Sequence, residues 1–540
     1  MKKSILYFFL FSLSVSIGYA QPERYLDEIF TEVDITTNVK YASNYNFVNP
    51  TTAPTPNFGL NADVYQPKGD AETDRACVIV LHTGNFLPKY VNQSTVGSNK
   101  DSAVVVSAEL FAKRGYVAFT PSYRLGWDPT NGNPDVKRGT LLNAVYRSLN
   151  DVKALVRFIK KSVDKDGNPY GINPTRIIIY GLGSGGYLAL AYSSLDRIEE
   201  LELESSGKWV SSTSYTAPNI SFTENQLYID PAIVGGVNGF GGTYNQSNNP
   251  GYSNDVVACI NAGGALGDST WIEPGEPPII SFHCPDDDYA PFIQGNVIVP
   301  TTNEVVVDVV GSRWAIERAN KLGNNSFIGG PYTDAYSLAA KAALTSSHPK
   351  LGLDPSKYEG LFPFIRPIIS NKFQESGPWD WWDNVAGLNE AKFILSIIYP
   401  NDPNTDDLAQ AIFDDDNAGS PTMSSSQGRA YLDSIQGYLA PRLHHLIYSN
   451  VGITETEADF LDANTFVYPN PARDFVVVKT REGIQINDVE IYNVTGARVL
   501  AESNLGKLSH QINVDQMSPG LYLVKVTTDA GLITRKVYVN

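Results

Sequence analysis

Residues 176–190 read RIIIYGLGSGGYLAL. A β-branched run, Ile177 to Ile179, stops at a block of small residues, Gly181, Gly183, Ser184, Gly185 and Gly186, and an apolar segment suited to a helix follows. β-branched side chains favour a strand and glycine favours tight backbone, so the stretch predicts strand, sharp turn, helix. The same alternation extends to either side. Cys77 to Leu81, CVIVL, is a continuous apolar run, as a parallel strand covered on both faces requires. Ala103 to Arg114 is amphipathic and helical, Tyr116 to Thr120 is a strand, and Leu141 to Lys161 is a long helix leading into the Arg176 strand. Upstream, about 28–69, two alternating runs suit an antiparallel edge. Downstream, VVACINAGGAL, PIISFHC and a helix at Ser312 to Leu322 resume the winding. This order predicts an α/β fold: a doubly wound, mostly parallel sheet with right-handed crossovers. Two stretches interrupt it and are expected as insertions. The first, about 197–255, is polar, and the second, about 325–440, holds the cluster Trp379, Trp381 and Trp382 and is expected to act as a lid.

The chain has 540 residues, 42% of them apolar, which suits more than one domain with a sizeable core. With 41 basic and 58 acidic residues the formal charge is −17, and no basic stripe offers itself to a phosphate backbone, so nucleic acid is not an expected partner. Met1 to Ala20 joins two lysines, a short apolar run and a small-residue end, the pattern of a secretory signal peptide. No other stretch approaches the length of a membrane span, so none is expected in the mature chain. Cys77, Cys259 and Cys284 lie in or just after strand-like runs, where they are expected as buried small hydrophobes. No metal and no cofactor is expected: the acidic runs Asp402 to Asp407 and Asp414 to Asp416 lack EF-hand spacing and read as solvated surface.

Past a linker at about 456–465 the composition changes to short alternating strands, predicting a small all-β sandwich over 466–540. Tyr468-Pro469-Asn470-Pro471-Ala472, the IYNVTG of Ile491 to Gly496, the MSPGLY of Met517 to Tyr522 and Lys536 near the end carry a resemblance. On these residues the tail resembles the C-terminal sorting domain of the type IX secretion system of Bacteroidetes. The resemblance implies passage through the periplasm of a Gram-negative bacterium to the cell surface or medium. It also implies the secretion machinery as a partner that recognises the tail and usually removes it.

Residues 21–455 carry a second set of motifs. His82-Thr83-Gly84-Asn85-Phe86 follows the CVIVL strand, Tyr123-Arg124-Leu125-Gly126 follows the next one, and Gly181 to Gly186 form the turn quoted above. His283-Cys284-Pro285-Asp286-Asp287-Asp288-Tyr289-Ala290-Pro291 follows a later strand. Together they resemble the esterase-like branch of the α/β-hydrolase superfamily, in that order along the chain. The resemblance implies a nucleophile elbow at the turn, with Gly183 in the usual nucleophile slot and Ser184 one residue beyond it. It implies oxyanion donors near Thr83, Gly84 and Gly185, and Asp287 as the acid. His348 is the expected base, with His444 or His445 as alternatives. Trp379 and Trp382 are expected either to stack against substrate or to form lid core. Two functions follow. One is a secreted serine hydrolase of carboxylic esters, small or polymeric, using Ser184, His348 and Asp287. The other is a catalytically inactive hydrolase-fold binding protein, because a glycine occupies the nucleophile slot.

Overall fold

The computed structural model describes residues 23–49, 52–201, 208–217, 220–298, 305–366, 376–449, 465–480, 484–529 and 531–539. The expected signal peptide, 1–20, and positions 456–464 of the expected linker lie outside them. The central element is an eight-stranded sheet. Its strands are β1 (Val33–Asn46), β2 (Thr55–Pro67), β3 (Arg75–Leu81), β4 (Val117–Pro121), β5 (Ile172–Leu182), β6 (Ala258–Ala262), β7 (Ile279–His283) and β8 (Leu361–Pro363). Their spatial order is β1-β2-β4-β3-β5-β6-β7-β8. β1, β2 and β4 pair antiparallel at one edge, and every pair from β4 to β8 is parallel. All seven residues of β3 are buried, the signature of a strand covered on both faces.

Alternation along β3 divides the core in two. Cys77, Ile79 and Leu81 face a cluster built with α2 (Pro134–Lys165), α3 (Ser184–Ser194) and α4 (Ser312–Leu322). Ala76, Val78 and Val80 face the opposite cluster, built with α1 (Ser102–Lys113) and the long helix Ser425–Ser449. The three cysteines are buried and unbridged, and burial pushes the Cys77 and Cys259 thiols far up, as small core hydrophobes require.

The stretch 197–255 lies between α3 and β6 and packs on α2, where Asn143 Nδ2 donates to the Tyr228 carbonyl at 2.7 Å and Tyr146 Oη to the Gly235 carbonyl at 3.0 Å. The stretch 325–440 differs from expectation. It contains β8, which pairs in parallel with β7 and completes the sheet. Before β8 it supplies the helix Ala335–Leu344, and after β8 two more, Ala386–Ile398 and Thr405–Gly419, which pack on each other around Leu395, Ile412 and Phe413. Three residues are too few to register as a strand in the sequence pattern.

The tail forms a three-stranded sheet, Thr465–Tyr468, Phe475–Thr480 and Ser509–Asn513, and a four-stranded sheet, Arg498–Glu502, Ile486–Asn493, Gly520–Thr528 and Gly531–Val539. Both are antiparallel, and Val476, Val478 and Ile512 of the first share one core with Val489, Val524 and Val537 of the second. This is a small β-sandwich. Among the described residues, no helix is long and apolar enough to cross a membrane.

Candidate active site

β5 ends at Leu182 and α3 begins at Ser184, which leaves Gly183 alone at the apex with φ 53° and ψ −116°. Such a conformation strains any side-chain-bearing residue and needs support from its surroundings. The support is backbone: the Gly183 N–H donates to the Ala262 carbonyl at 2.8 Å, and its carbonyl accepts from the Gly186 N–H at 2.9 Å. A Cβ on Gly183 would overlap the Thr83 hydroxyl, so Thr83 already fills the space over the apex. Behind the turn, helix and strand approach so closely that a Cβ on Gly185 would lie 2.6 Å from the Leu81 carbonyl oxygen and 2.7 Å from that of His82. Ser184 is therefore the first helical residue and not the apex. It is 6% exposed, its Oγ has no hydrogen-bond partner, and it faces the large cavity described below.

The loop after β3 carries Asn85 and Phe86 at φ 54° and 57°. The segment after β4 holds it in that shape. Tyr123 Oη donates to the His82 carbonyl at 2.7 Å, Trp127 Nε1 to the Asn85 carbonyl at 2.7 Å, and the Gly126 N–H to the Phe86 carbonyl at 2.8 Å. Arg124, almost fully buried, pairs with the equally buried Asp151 at 2.9 Å and anchors the brace to α2. His82 stacks on Tyr123 with centroids 4.3 Å apart, and burial lowers its pKa, so the imidazole is neutral and committed to packing. Of the three residues expected near an oxyanion, Thr83 lines the cavity, Gly84 rests against Gly97, and Gly185 rests against the end of β3.

Asp287 lies just past β7 with its carboxylate fully enclosed. Its Oδ1 accepts from the Tyr289 and Ala290 N–H groups at 2.8 and 2.9 Å, while Oδ2 has no hydrogen-bond partner. The nearest ring nitrogen, His283 Nε2, is 3.4 Å from Oδ2. That ring is engaged elsewhere, at Ser312 Oγ, 2.6 Å, and the Ala290 carbonyl, 3.0 Å. His348 does not reach Asp287. Its Nε2 meets Asp286 Oδ2 at 2.8 Å, and Lys350 Nζ meets the other oxygen of Asp286 at 2.9 Å. Burial tends to raise the Asp286 pKa, but Lys350 and His348 outweigh it and hold the carboxyl below its ordinary value. His444 pairs with Glu23 at 2.8 Å, and neither it nor His445 borders the cavity. Ser184, Asp287 and His348 are thus on the same edge of the sheet, but the three are not joined by hydrogen bonds.

The cavity is about 850 Å³, a size that suits a small organic ligand. Its deep wall is apolar, formed by α2, the end of α3 and the 197–255 segment with Leu142, Leu149, Leu195, Trp209 and Ile229, together with Trp271 from the loop after β6. Its rim is polar and acidic, with Asp288, Asp380, Asp415 and Asp416. Trp379 and Trp382 both line it: Trp379 is 1% exposed, and Trp382 is half-buried with its Nε1 donating to Asn417 Oδ1 at 3.2 Å. The rim is what the sequence did not disclose. Asp416 joins it from far along the chain by accepting from the Thr95 N–H at 2.6 Å and Thr95 Oγ1 at 2.7 Å. The Trp-Asp-Trp-Trp-Asp alternation at 379–383 was the one visible signal. No lysine, arginine or histidine is among the described residues lining the cavity, and no group of three His, Cys, Asp or Glu among the described residues is arranged to hold a metal ion.

The BD-FAE family, an esterase domain of the α/β-hydrolase type, matches residues 62–222, a span that includes the brace and the elbow and ends before Asp287. The secretion system C-terminal sorting domain matches residues 466–540. No curated protein matches. Among solved structures, the chain is similar to esterase 2 of Thermogutta terrifontis. The native form shares 18% identity, covering 70% of this chain and 95% of that one with a TM-score of 0.32. The butyrate-bound form shares 16%, covering 66% and 94% with a TM-score of 0.33, and the paraoxon-phosphorylated form shares 16%, covering 66% and 94% with a TM-score of 0.32. Likenesses that weak add nothing to what the strand order and the family matches establish. Residues 62–222 match an esterase-type α/β-hydrolase domain, the strand order is that of the α/β-hydrolase fold, and residues 466–540 match a secretion-system C-terminal sorting domain.

Proposed function

We propose that this protein is an exported ligand-binding protein that uses the pocket of an esterase-type hydrolase domain without a working Ser-His-Asp triad. One observation carries the reading: Gly183 stands at the apex with the Thr83 hydroxyl filling the space a nucleophile's side chain would take. The surroundings support it. A serine hydroxyl is a weak nucleophile until a base accepts its proton, and among the described residues no imidazole borders the cavity that Ser184 faces. Tyr123, the neighbour of Ser184, is no substitute, because its proton goes to the His82 carbonyl and burial raises its pKa far above neutrality. The ring nearest the Asp287 carboxylate, His283, is held by Ser312 and the Ala290 carbonyl and does not border the cavity.

A second reading keeps the enzyme. It rests on the unpartnered Ser184 hydroxyl at the start of α3, where helix N–H groups lacking intrahelical partners would favour an oxyanion. The two separate in one assay: p-nitrophenyl acetate and butyrate turnover by the full chain and by Ser184→Ala. Binding without hydrolysis predicts a rate equal to buffer for both proteins. A rate above buffer that disappears in Ser184→Ala would overturn it. For the tail, the proposal is export by the type IX route to the cell surface or medium. Deletion of residues 466–540 in a host with that system is expected to retain the chain in the periplasm, and unchanged export of the truncated chain would contradict it.

A further inference from the structure

The cavity has a polarity that the hydrolase fold does not require. Its depth is lined by buried aliphatic and indole side chains, and its rim by Asp288, Asp380, Asp415 and Asp416 with no cationic residue among the described lining. Asp416 is near enough to act on the charge of Asp380, and Asp415 on that of Asp416. The Tyr289 phenol feels Asp287, Asp288, Asp415 and Asp416, and Asp380 feels both Asp101 and Asp416. They do not converge on a point as a metal site would, since no three of them meet that geometry. Trp382 and Tyr289 border the same rim, and aromatic faces attract organic cations. At the cavity wall Ser184, more than nine-tenths buried, presents an Oγ that makes no well-formed hydrogen bond and has beside it the Tyr123 hydroxyl, whose proton already goes to the His82 carbonyl, so the chamber holds a weakly satisfied polar group as well as an acidic mouth. Burial holds the Asp380 carboxyl well above the usual range, with Asp101 and Asp416 adding to it, a cost that a positive group in the mouth would relieve.

We infer that the cavity selects an organic ammonium with an apolar body, its cationic head among Asp288, Asp380 and Asp416 and its apolar part against α2 and the 197–255 segment. This rests on the proposal that the cavity binds without hydrolysing, and it fails separately from it. The test is calorimetric titration of the full chain with decyltrimethylammonium, decanol and decanoate, each below its aggregation concentration. The cation is expected to bind about tenfold or more tightly than the alcohol, a difference on the order of 1.4 kcal/mol, and decanoate most weakly. Asp288→Asn, at an exposed position that is not needed for packing, is expected to cost about fivefold in cation affinity and nothing for decanol. Asp416→Asn keeps an acceptor for the Thr95 N–H, so a loss there also reports charge and not folding. Raising the salt concentration is expected to weaken the cation alone. Decanol or decanoate binding as tightly as the cation, or an Asp288→Asn affinity equal to the parent's, would overturn the inference while leaving a binding protein. Ester turnover that depends on Ser184 would instead remove the reading beneath it.

Discussion

The bend after β5 and the loop after β7 lie at the same edge of the central sheet and retain different things. The bend retains a backbone: Gly183 at φ 53°, hydrogen bonds to Ala262 and Gly186, and α3 pressed against the end of β3. It presents no side chain at its apex. The loop retains a side chain, Asp287, fixed by two N–H groups at 2.8 and 2.9 Å, and brings no base to it. In each case what persists is what packing or local hydrogen bonding needs for its own sake. The bend is required for helix and strand to meet without a gap, and the aspartate is required to satisfy two backbone donors. Architecture and chemistry are thus separable at one sheet edge, and fold membership leaves activity open.

The backbone of the bend is the more sensitive of the two. Gly185→Ala would press a methyl onto two carbonyl oxygens that belong to β3 and the residue after it, and is expected to destabilise the domain by about 3 kcal/mol, read as a lower thermal midpoint. Gly183→Ser should cost less, about 2 kcal/mol, because the obstacle is the Thr83 side chain and not main chain. Adding Thr83→Gly is expected to recover most of that loss in a double-mutant cycle, and still to yield no ester turnover. Turnover in the double variant would mean that an imidazole reaches the apex after all. On the loop side, Asp287→Ala strands the Tyr289 and Ala290 N–H groups and is expected to cost about 1–2 kcal/mol with no change in ligand affinity.

The gentlest effect is one of pH. pH sensitivity is expected from two buried carboxyls outside the cavity lining, where burial raises Glu200 to about 7 and Glu276 to about 9. A carboxyl with a higher pKa in the folded than in the unfolded state holds its proton more tightly when folded. Its stabilising contribution is complete below the unfolded value of 4.5 and is lost as pH rises through the folded value. The thermal midpoint should therefore fall from about pH 5 to about pH 9. Glu200→Gln should flatten the lower part of that fall and Glu276→Gln the upper part. A midpoint that is constant or rises across that range would contradict the assignment.

Most of the architecture was legible because it is written locally. The β-branched runs of β3 and β5 end at glycines, and Ser312 to Leu322 is helical over the same residues in the sequence pattern and in the structure. The long helix α2 begins earlier than its apolar period, because Asn133 caps it by accepting from the Asp135 N–H and Pro134 stands in its first turn, both polar signals outside the repeat. What was not legible is written at long range. Which of Asp286 and Asp287 meets His348 depends on how a loop 62 residues away returns, and spacing does not encode that. Asp416 reads as solvated surface until its helix is seen delivering it to Thr95, 321 residues away. The register at Gly183 was visible as a question, and only the backbone angles decide which residue stands at the apex.

The proposed function requires that Ser184 not be an activated nucleophile. Incubating the full chain with a fluorophosphonate probe tests it most directly, because such probes phosphonylate a serine, with loss of fluoride, only where a base and an oxyanion site activate it. The expected result is no labelled protein, identical for the parent and Ser184→Ala; stoichiometric labelling of the parent that vanishes in Ser184→Ala would contradict it.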